Sequence, residues 1–375
     1  MKLLGASEAR LAASNKWQFQ SGDVLYGKLR PNLDKAVMAQ TEGVCSTDIL
    51  VLRSRLGSSE PRFVLHLVHS APFREFAVAT AAGTKMPRTS ASAIAKFSVK
   101  LPPLPEQRKI AAILSSIDET IEKTEAVIAQ LQVVKKAMMQ ELLTRGMPGR
   151  HTRFKQTEIG EIPEGWKVGR VGDLLASGPT NGIYKPAADI GSGALLLGMT
   201  AIVGDTIDWS LSRRAVVTAG ERERYRLRAD DVLVRRVYAR VEGVGRAVLV
   251  PDPPEDAVYE SNMMRLRFDE HSVLPRFGCR AFSLRGVREQ IEGAAQLAAQ
   301  ASVNNQALRA IQFPLPPLAE QAEIDVALDS LDTRSACEMA ALRGMSSLKS
   351  ALSAALLSGD LRVTPDPSEQ PAQPA

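Results

Sequence analysis

Leu101-Pro102-Pro103-Leu104-Pro105-Glu106-Gln107 and Leu315-Pro316-Pro317-Leu318-Ala319-Glu320-Gln321 differ at one residue and stand 214 positions apart (315 − 101). Carried outward without gaps, that offset lays Pro61-Arg62-Phe63 on Pro275-Arg276-Phe277 and Leu52-Arg53 on Leu266-Arg267. It also lays Arg74-Glu75 on Arg288-Glu289 and Leu142-Leu143 on Leu356-Leu357. Agreement at one offset from about Thr47 to Leu143 is the mark of an internal duplication. Upstream, Asp23-Val24-Leu25 meets Asp231-Val232-Leu233 at an offset of 208 (231 − 23), which predicts about six extra residues in the loop that follows in the second copy.

Behind each heptapeptide, apolar residues recur by four and three. The first series is Ile110, Leu114, Ile117, Ile121, Thr124, Ile128, Leu131, Lys135, Met138, Leu142. Its copy is Ile324, Leu328, Leu331, Ser335, Glu338, Leu342, Met345, Lys349, Leu352, Leu356. This is a heptad seam. Pro105 and Glu106 suit a first helical turn, where a missing N–H costs nothing and a negative charge meets the helix dipole. A single amphipathic helix is usually core, but two in identical register, with Lys135 matched by Lys349, favour mutual packing within the chain. A duplicated unit pairs about a pseudo-two-fold axis, so the pair is expected to be antiparallel with a globular head at each end. A helix of about 36 residues would be roughly 54 Å long.

The heads read as mixed α/β and the whole chain as α+β. Short strands are expected at Asp23–Tyr26, Asp48–Leu52, Val232–Val234, Ala247–Val250 and Met263–Phe268, and helices within Arg62–Ala79 and Arg276–Gln296. Composition is that of a globular protein: 375 residues, 45% hydrophobic and 24% charged. A net charge of +5 leans toward a polyanionic partner. Cys45, Cys279 and Cys337 are too scattered for a zinc site or a disulfide framework and are expected as buried free thiols. His66 and His69 share a helical face with no acidic neighbour in sequence. No apolar run reaches the roughly 20 residues of a membrane span, and Met1–Gly5 is too brief for a signal peptide; a cytoplasmic protein is expected.

No catalytic constellation emerges. There is no phosphate-binding loop, and Gly191-Ser192-Gly193 lacks a dinucleotide fingerprint. Asp252-Pro253-Pro254 resembles the start of an amino-methyltransferase motif, but Glu255 stands where an aromatic residue must stack on the base. The basic residues say more. Arg213, Arg214, Arg235, Arg236 and Arg240 cluster in the second head with Tyr238 among them, inside a wider run that includes Arg222, Arg224, Arg226, Arg228 and Arg246. Arginine's planar fork suits phosphate and the guanine edge. The opposing reading is a salt-bridged face, above all for Glu221–Arg228. The first head offers Lys28, Arg30 and Lys35, then Lys85 and Arg88. Asn304 and Asn305 either pair with adenine or cap a helix.

The chain resembles the specificity subunit of type I restriction-modification enzymes. The likeness is carried by the duplicated Leu-Pro-Pro-Leu-x-Glu-Gln entry into a long helix, and by Gly22–Arg30 with its copy Asp231–Arg236. Glu161-Ile162-Pro163-Glu164-Gly165-Trp166 adds the opening of a recognition domain. The resemblance implies a target-recognition domain at residues 1–100, a conserved helix at 101–146, and a linker at 147–157. A second recognition domain at 158–314, a second helix at 315–360 and a disordered tail at 361–375 complete the order. It implies that each head reads half of a bipartite double-stranded DNA site and that the coiled coil docks modification (methyltransferase) subunits. Partners would carry S-adenosylmethionine, ATP and Mg, with a restriction/translocase subunit among them, and this chain would hold no cofactor. One departure stands out. Nothing upstream of Asp23 corresponds to Ile162–Trp166, so the first recognition domain is expected to lack its N-terminal third. A coiled-coil scaffold whose heads bind protein is the alternative; an autonomous enzyme would have to bind S-adenosylmethionine by itself.

Overall fold

The computed structural model describes residues 16–297 and 300–364. Two compact units divide the chain, one drawn from Met1–Ala129 and Cys337–Ala375, the other from Gln130–Ala336. The expected tail lies outside the described residues from 365 onward.

The first unit begins with β1 (Lys16–Phe19), β2 (Val24–Gly27), β3 (Ala36–Met38), β4 (Gly43–Ser46) and β5 (Ile49–Leu52). β1 pairs with β4, and a second sheet has the order β3-β2-β5, all antiparallel. The helical stretch breaks at Ser70, whose side chain caps the second piece: α1 is Pro61–Val68 and α2 is Ala71–Ala79. A short α3 (Ala91–Ile94) precedes the long α4 (Leu104–Arg145). Val24, Tyr26, Ala36, Val68, Phe73 and Ala77 form the core, with Tyr26 and Phe97 edge-on to Phe73.

In the second unit, the stretch 147–157 expected as a linker ends in β6 (Phe154–Thr157), hairpinned to β7 (Gly160–Pro163). β8 (Lys167–Arg170), β9 (Leu175–Asn181), β10 (Ile190–Leu197), β11 (Ile202–Val203), β12 (Thr206–Ile207), β13 (Arg213–Ala215) and α5 (Ala219–Tyr225) follow. Then come β14 (Val232–Arg235), β15 (Val237–Tyr238), β16 (Ala247–Leu249), β17 (Ala257–Tyr259) and β18 (Met263–Phe268). The unit closes with α6 (Pro275–Ala281), α7 (Arg285–Ala294), β19 (Gln296–Leu297), β20 (Ala301–Ser302), α8 (Asn305–Ala310), β21 (Gln312–Leu315) and the long α9 (Leu318–Ser358). Its central sheet runs β16-β14-β18-β9.

The duplication is visible bond by bond. β2–β5 and β14–β18 share one register, Val24 opposite Leu52 and Val232 opposite Leu266. Asp23 takes both arms of Arg53 (2.8 and 2.6 Å), and Asp231 takes Arg267 in the same way (2.5 and 3.1 Å). The Arg53 guanidinium holds the Asp23 carboxyl below its usual range. Six extra residues were expected in one loop, but they divide equally. Ala36 corresponds to Ala247, an intermediate offset of 211 (247 − 36), so three residues enter before that strand and three after it.

The long helices bury their seam as the 4-3 spacing demands. Ile110, Leu114, Ile128, Leu142, Ile324, Leu328 and Leu356 are buried, while Ile117, Ile121, Leu131, Leu331, Leu342 and Leu352 are half-buried. In the first unit the beginning of α4 (Ile110, Leu114) packs with the end of α9 (Leu352, Leu356). In the second, the end of α4 (Leu142) joins a core with the beginning of α9 (Ile324, Leu328). The seam lysines are satisfied across each pair: Lys349 meets Asp118 at 2.5 Å and Lys135 meets Asp332 at 2.7 Å.

Glu106-Gln107 and Glu320-Gln321, all buried, explain the repeated heptapeptide. The Gln321 amide donates to Ser272 and Pro316 carbonyls and accepts from Leu274 N–H. Gln107 does the same with Ser58, Pro102 and Glu60. Each glutamine thus ties its head to its helix. The glutamates hold the chain that leaves the other helix: Arg362 and Val363 N–H on Glu106, and His151, Trp166 and Met147 N–H on Glu320.

Candidate nucleic-acid interface

In the second head β14 runs out at Arg235 and the chain crosses to a small sheet. Arg236 N–H donates to Asn262 C=O (2.8 Å), Tyr238 pairs with Ala301, and Val303 N–H donates back to Arg236 C=O (3.0 Å). The loop that carries Arg236, Tyr238 and Arg240 is thereby stitched to the segment that carries Asn304. The Arg235 guanidinium lies 4.6 Å above the Tyr238 ring. Tyr238 packs so closely on Gly243 that a Cβ there has no room. Asn304 is a helix cap, its Oδ1 accepting from Ala307 N–H at 2.8 Å. Asn305 donates to Pro179 C=O, and its own Oδ1 is buried with no partner.

The first head repeats the arrangement. Lys28 N–H donates to Asp48 C=O, Thr89 N–H donates to Lys28 C=O, Leu29 bridges to Arg88, and Ser90 caps α3. Lys28, Arg30 and Arg88 come together on this stitch, with Lys85 exposed in the turn that leads to it. Arg30 adopts a left-handed backbone (φ 52°) on the way into the turn at Pro31. Lys35 immediately precedes the returning strand β3, and its carbonyl accepts from Gly27 N–H.

Ion pairing sorts these cations into two groups. Arg213 and Arg214 stand on β13 rather than in a loop, and they are paired with Glu260 (3.2 Å) and Glu255 (2.5 Å). Arg222 is held by Asp256, and Lys185 by Glu221. That side is a salt-bridged face, as the opposing reading has it for the Glu221 run. Among the described residues no carboxylate lies within 4.0 Å of Arg235, Arg236, Arg240 or Arg246; Arg236 and Arg246 donate to backbone carbonyls. The Arg235 pKa is lowered by burial, with Arg246 adding to the effect despite the opposing Tyr238, and its Nε is buried without a partner. In the first head Arg88 is paired with Asp48 (3.1 Å), while Lys28, Arg30, Lys35 and Lys85 have no ion-pair partner among the described residues. Positive charge left uncompensated beside an exposed aromatic ring is suited to an anion with flat surfaces. Arg246, part of the wider basic run, aligns with Lys35 at the 211 offset.

Two expectations are corrected. Acids do reach the histidines, from distant sequence: His69 Nδ1 is 2.9 Å from Asp34, and His66 Nδ1 is 3.8 Å from Asp118. Of the three free thiols, Cys337 is exposed, whereas burial pushes Cys279 up to about 12. Among the described residues no cluster of His, Cys, Asp or Glu is arranged to hold a metal, and no helix is long and apolar enough to cross a membrane.

Residues 6–133 match the family model of the type I restriction modification DNA specificity domain. The chain is 24% identical over 93% of its length to the putative type I restriction enzyme MjaX specificity subunit of Methanocaldococcus jannaschii, covering 80% of that protein. It is also 24% identical over 70% of its length to the StySPI specificity subunit of Salmonella potsdam, covering 57% of it. A solved structure described as showing complex assembly and conformational transition of the type I R-M system shares the fold, with a TM-score of 0.57 at 20% identity over 94% of this chain and 86% of that one.

Proposed function

We propose that this chain is a type I restriction-modification specificity subunit whose two heads read duplex DNA through the stitched basic loops, each taking one half of a bipartite site. The observation that carries the reading is the recurrence, in both heads, of cations without carboxylate partners among the described residues at equivalent positions: Lys28 and Lys35 in one, Arg236 and Arg246 in the other. Arg235 stacked on Tyr238 adds a flat surface for a sugar or base. The paired long helices are the antiparallel coiled coil of the proposal, joining the heads and docking modification subunits. Methyl transfer from S-adenosylmethionine belongs to those subunits, and ATP- and Mg-dependent translocation to a restriction subunit, in the cytoplasm.

The test is a salt series on the chain assembled with its modification subunit and its cognate duplex. Removing one cation from a DNA phosphate should flatten the log–log salt slope by about 0.9. Arg240→Ala and Arg246→Ala are each expected to weaken binding and to flatten the slope by about that amount; Arg214→Ala, already paired with Glu255, should change it much less. Unchanged affinity and slope in the first two variants would instead favour heads that bind protein.

A further inference from the structure

Of the five tyrosines, Tyr26, Tyr225 and Tyr259 pack into the cores, whereas Tyr184 and Tyr238 are exposed. The two exposed rings stand on either side of one turn of the second head, Glu260–Asn262, which leads into β18 between its neighbours β14 and β9. On the β14 side, Arg236 and Val237 N–H both donate to Asn262 C=O (2.8 and 3.3 Å), and Arg236 Nε donates to Ser261 C=O (3.1 Å). On the β9 side, Gly182 N–H donates to Met263 C=O and Ile183 N–H to Tyr259 C=O (3.0 and 2.9 Å). Gly182 lies so close to the Tyr259 and Glu260 backbone that a Cβ has no room. Two strand spacings put the flanking chains about 10 Å apart across the turn, the length of about three base-pair steps.

Tyr184 is fixed from both sides. Ile183 is buried among Leu196, Ala215 and Val258, and the Lys185 side chain is buried on Glu221 (2.8 Å) and Asp189 (3.6 Å). The ring between these anchors is 78% exposed. Asn262, at the tip of the turn, is exposed as well, and among the described residues its amide has no hydrogen-bond partner. Other polar side chains nearby are engaged: Glu260 accepts from Met199 N–H and Arg213, Asn304 caps α8, and Asn305 donates to Pro179 C=O. In the first copy the tip position is Asp48 (262 − 214), which is committed to Arg88. The counterpart of Arg88 in the second copy is Ser302 (88 + 214), so the second head keeps the turn and frees the side chain at its tip.

We propose that Asn262 and Tyr184 are the residues with which the second head chooses its bases, Asn262 taking the edge of an adenine and Tyr184 packing on a thymine methyl within about three base pairs of it. An amide offers a donor and an acceptor side by side, matching adenine N7 and N6 in the major groove, and an apolar ring face suits the thymine methyl. The surrounding arginines then hold phosphates, which position the duplex without selecting sequence. The assignment rests on the reading of the heads as DNA-binding and adds to it the side chains that discriminate.

The experiment measures binding of the chain, assembled with its modification subunits, to its cognate duplex varied one base pair at a time. Asn262→Ala should erase the preference for adenine at one position of one half-site, a discrimination of roughly 5- to 150-fold. The salt slope should stay as it is, because no charge is removed. Asn262→Asp keeps an acceptor and loses the donor, so preference at that position should move toward cytosine, whose N4 donates. Tyr184→Ala should relax a second position of the same half-site, while Tyr184→Phe keeps the ring and the wild-type selectivity. Both side chains are exposed, so the variants should unfold at the wild-type temperature. A wild-type preference that survives unchanged in Asn262→Ala or in Tyr184→Ala, or that changes alike in both half-sites, overturns the assignment alone. Absence of any sequence preference in the wild-type complex overturns the DNA reading and the assignment with it.

Discussion

His66 and Arg280 hold the same place in the two copies of the repeat (280 − 66 = 214), on the first helix after the sheet, facing the long helix. Arg280 grips Asp325, Asp329 and Asp332 at 2.6, 2.7 and 3.1 Å. His66 instead bonds Ser115 Oγ at 3.0 Å, and only Asp118 of the three acids has a counterpart in the first unit. Burial lowers the His66 pKa to about 4; Asp118 opposes this and Lys349 adds to it. The unfolded chain therefore binds the proton more readily than the folded one, so stability in the first unit is intact above pH 6.5 and falls as pH drops from there toward 4. The expected loss is on the order of 3 kcal/mol. Asp325 runs the other way: burial raises it to about 6 despite Arg280, so the second unit loses stability as pH rises from 3.8 toward 6. His66→Gln should therefore abolish the acid sensitivity of α1, read as amide protection factors at pH 7 and pH 5. An unchanged pH dependence in the variant would show that His66 is not its source.

At the scale of the element, the head-to-helix joint is one buried amide. Gln321 makes three hydrogen bonds from a fully buried position, and Gln107 makes the same three. Gln321→Ala strands the Leu274 N–H and two carbonyls, at a cost of roughly 2–4 kcal/mol. Gln321→Glu keeps the volume and the acceptor but loses both donors. In urea unfolding it should be destabilised comparably; near-native stability would mean that packing rather than hydrogen bonding fixes the joint. The sequence made the motif conspicuous without showing why. Its offset of 214 exposed the duplication, and the 4-3 spacing exposed the seam, because both are local patterns printed along the chain. Two of the three partners of Gln321 lie 47 and 49 residues upstream, and those of Glu320 more than 150, so only the folded chain brings them into view. The same holds for the candidate interface. Composition picked out Arg213 and Arg235 alike, and only the positions of Glu260 and Glu255 separate a paired face from an unpaired loop.

For the whole molecule, the seam's regularity makes the proposed spacing role testable. A heptad adds seven residues without rotating the apolar stripe off its partner by more than about 20°. At 1.5 Å per residue it lengthens a helix by about 10 Å, which spans about 3 base pairs of duplex at 3.4 Å each. The insertions must be matched, since a heptad in α4 alone would slide Lys135 from Asp332 or Lys349's partner Asp118 from its place. Suitable points lie in the half-buried middle of each seam, after Ile121 in α4 and at the repeat-equivalent Ser335 in α9. With the chain co-produced with its modification subunits, methylated positions mapped across a genome should keep both half-site sequences while the gap between them widens by about 3 base pairs. A gap that stays fixed while methylation persists would remove the helices from the spacing mechanism, and altered half-sites would place sequence reading somewhere other than the two heads.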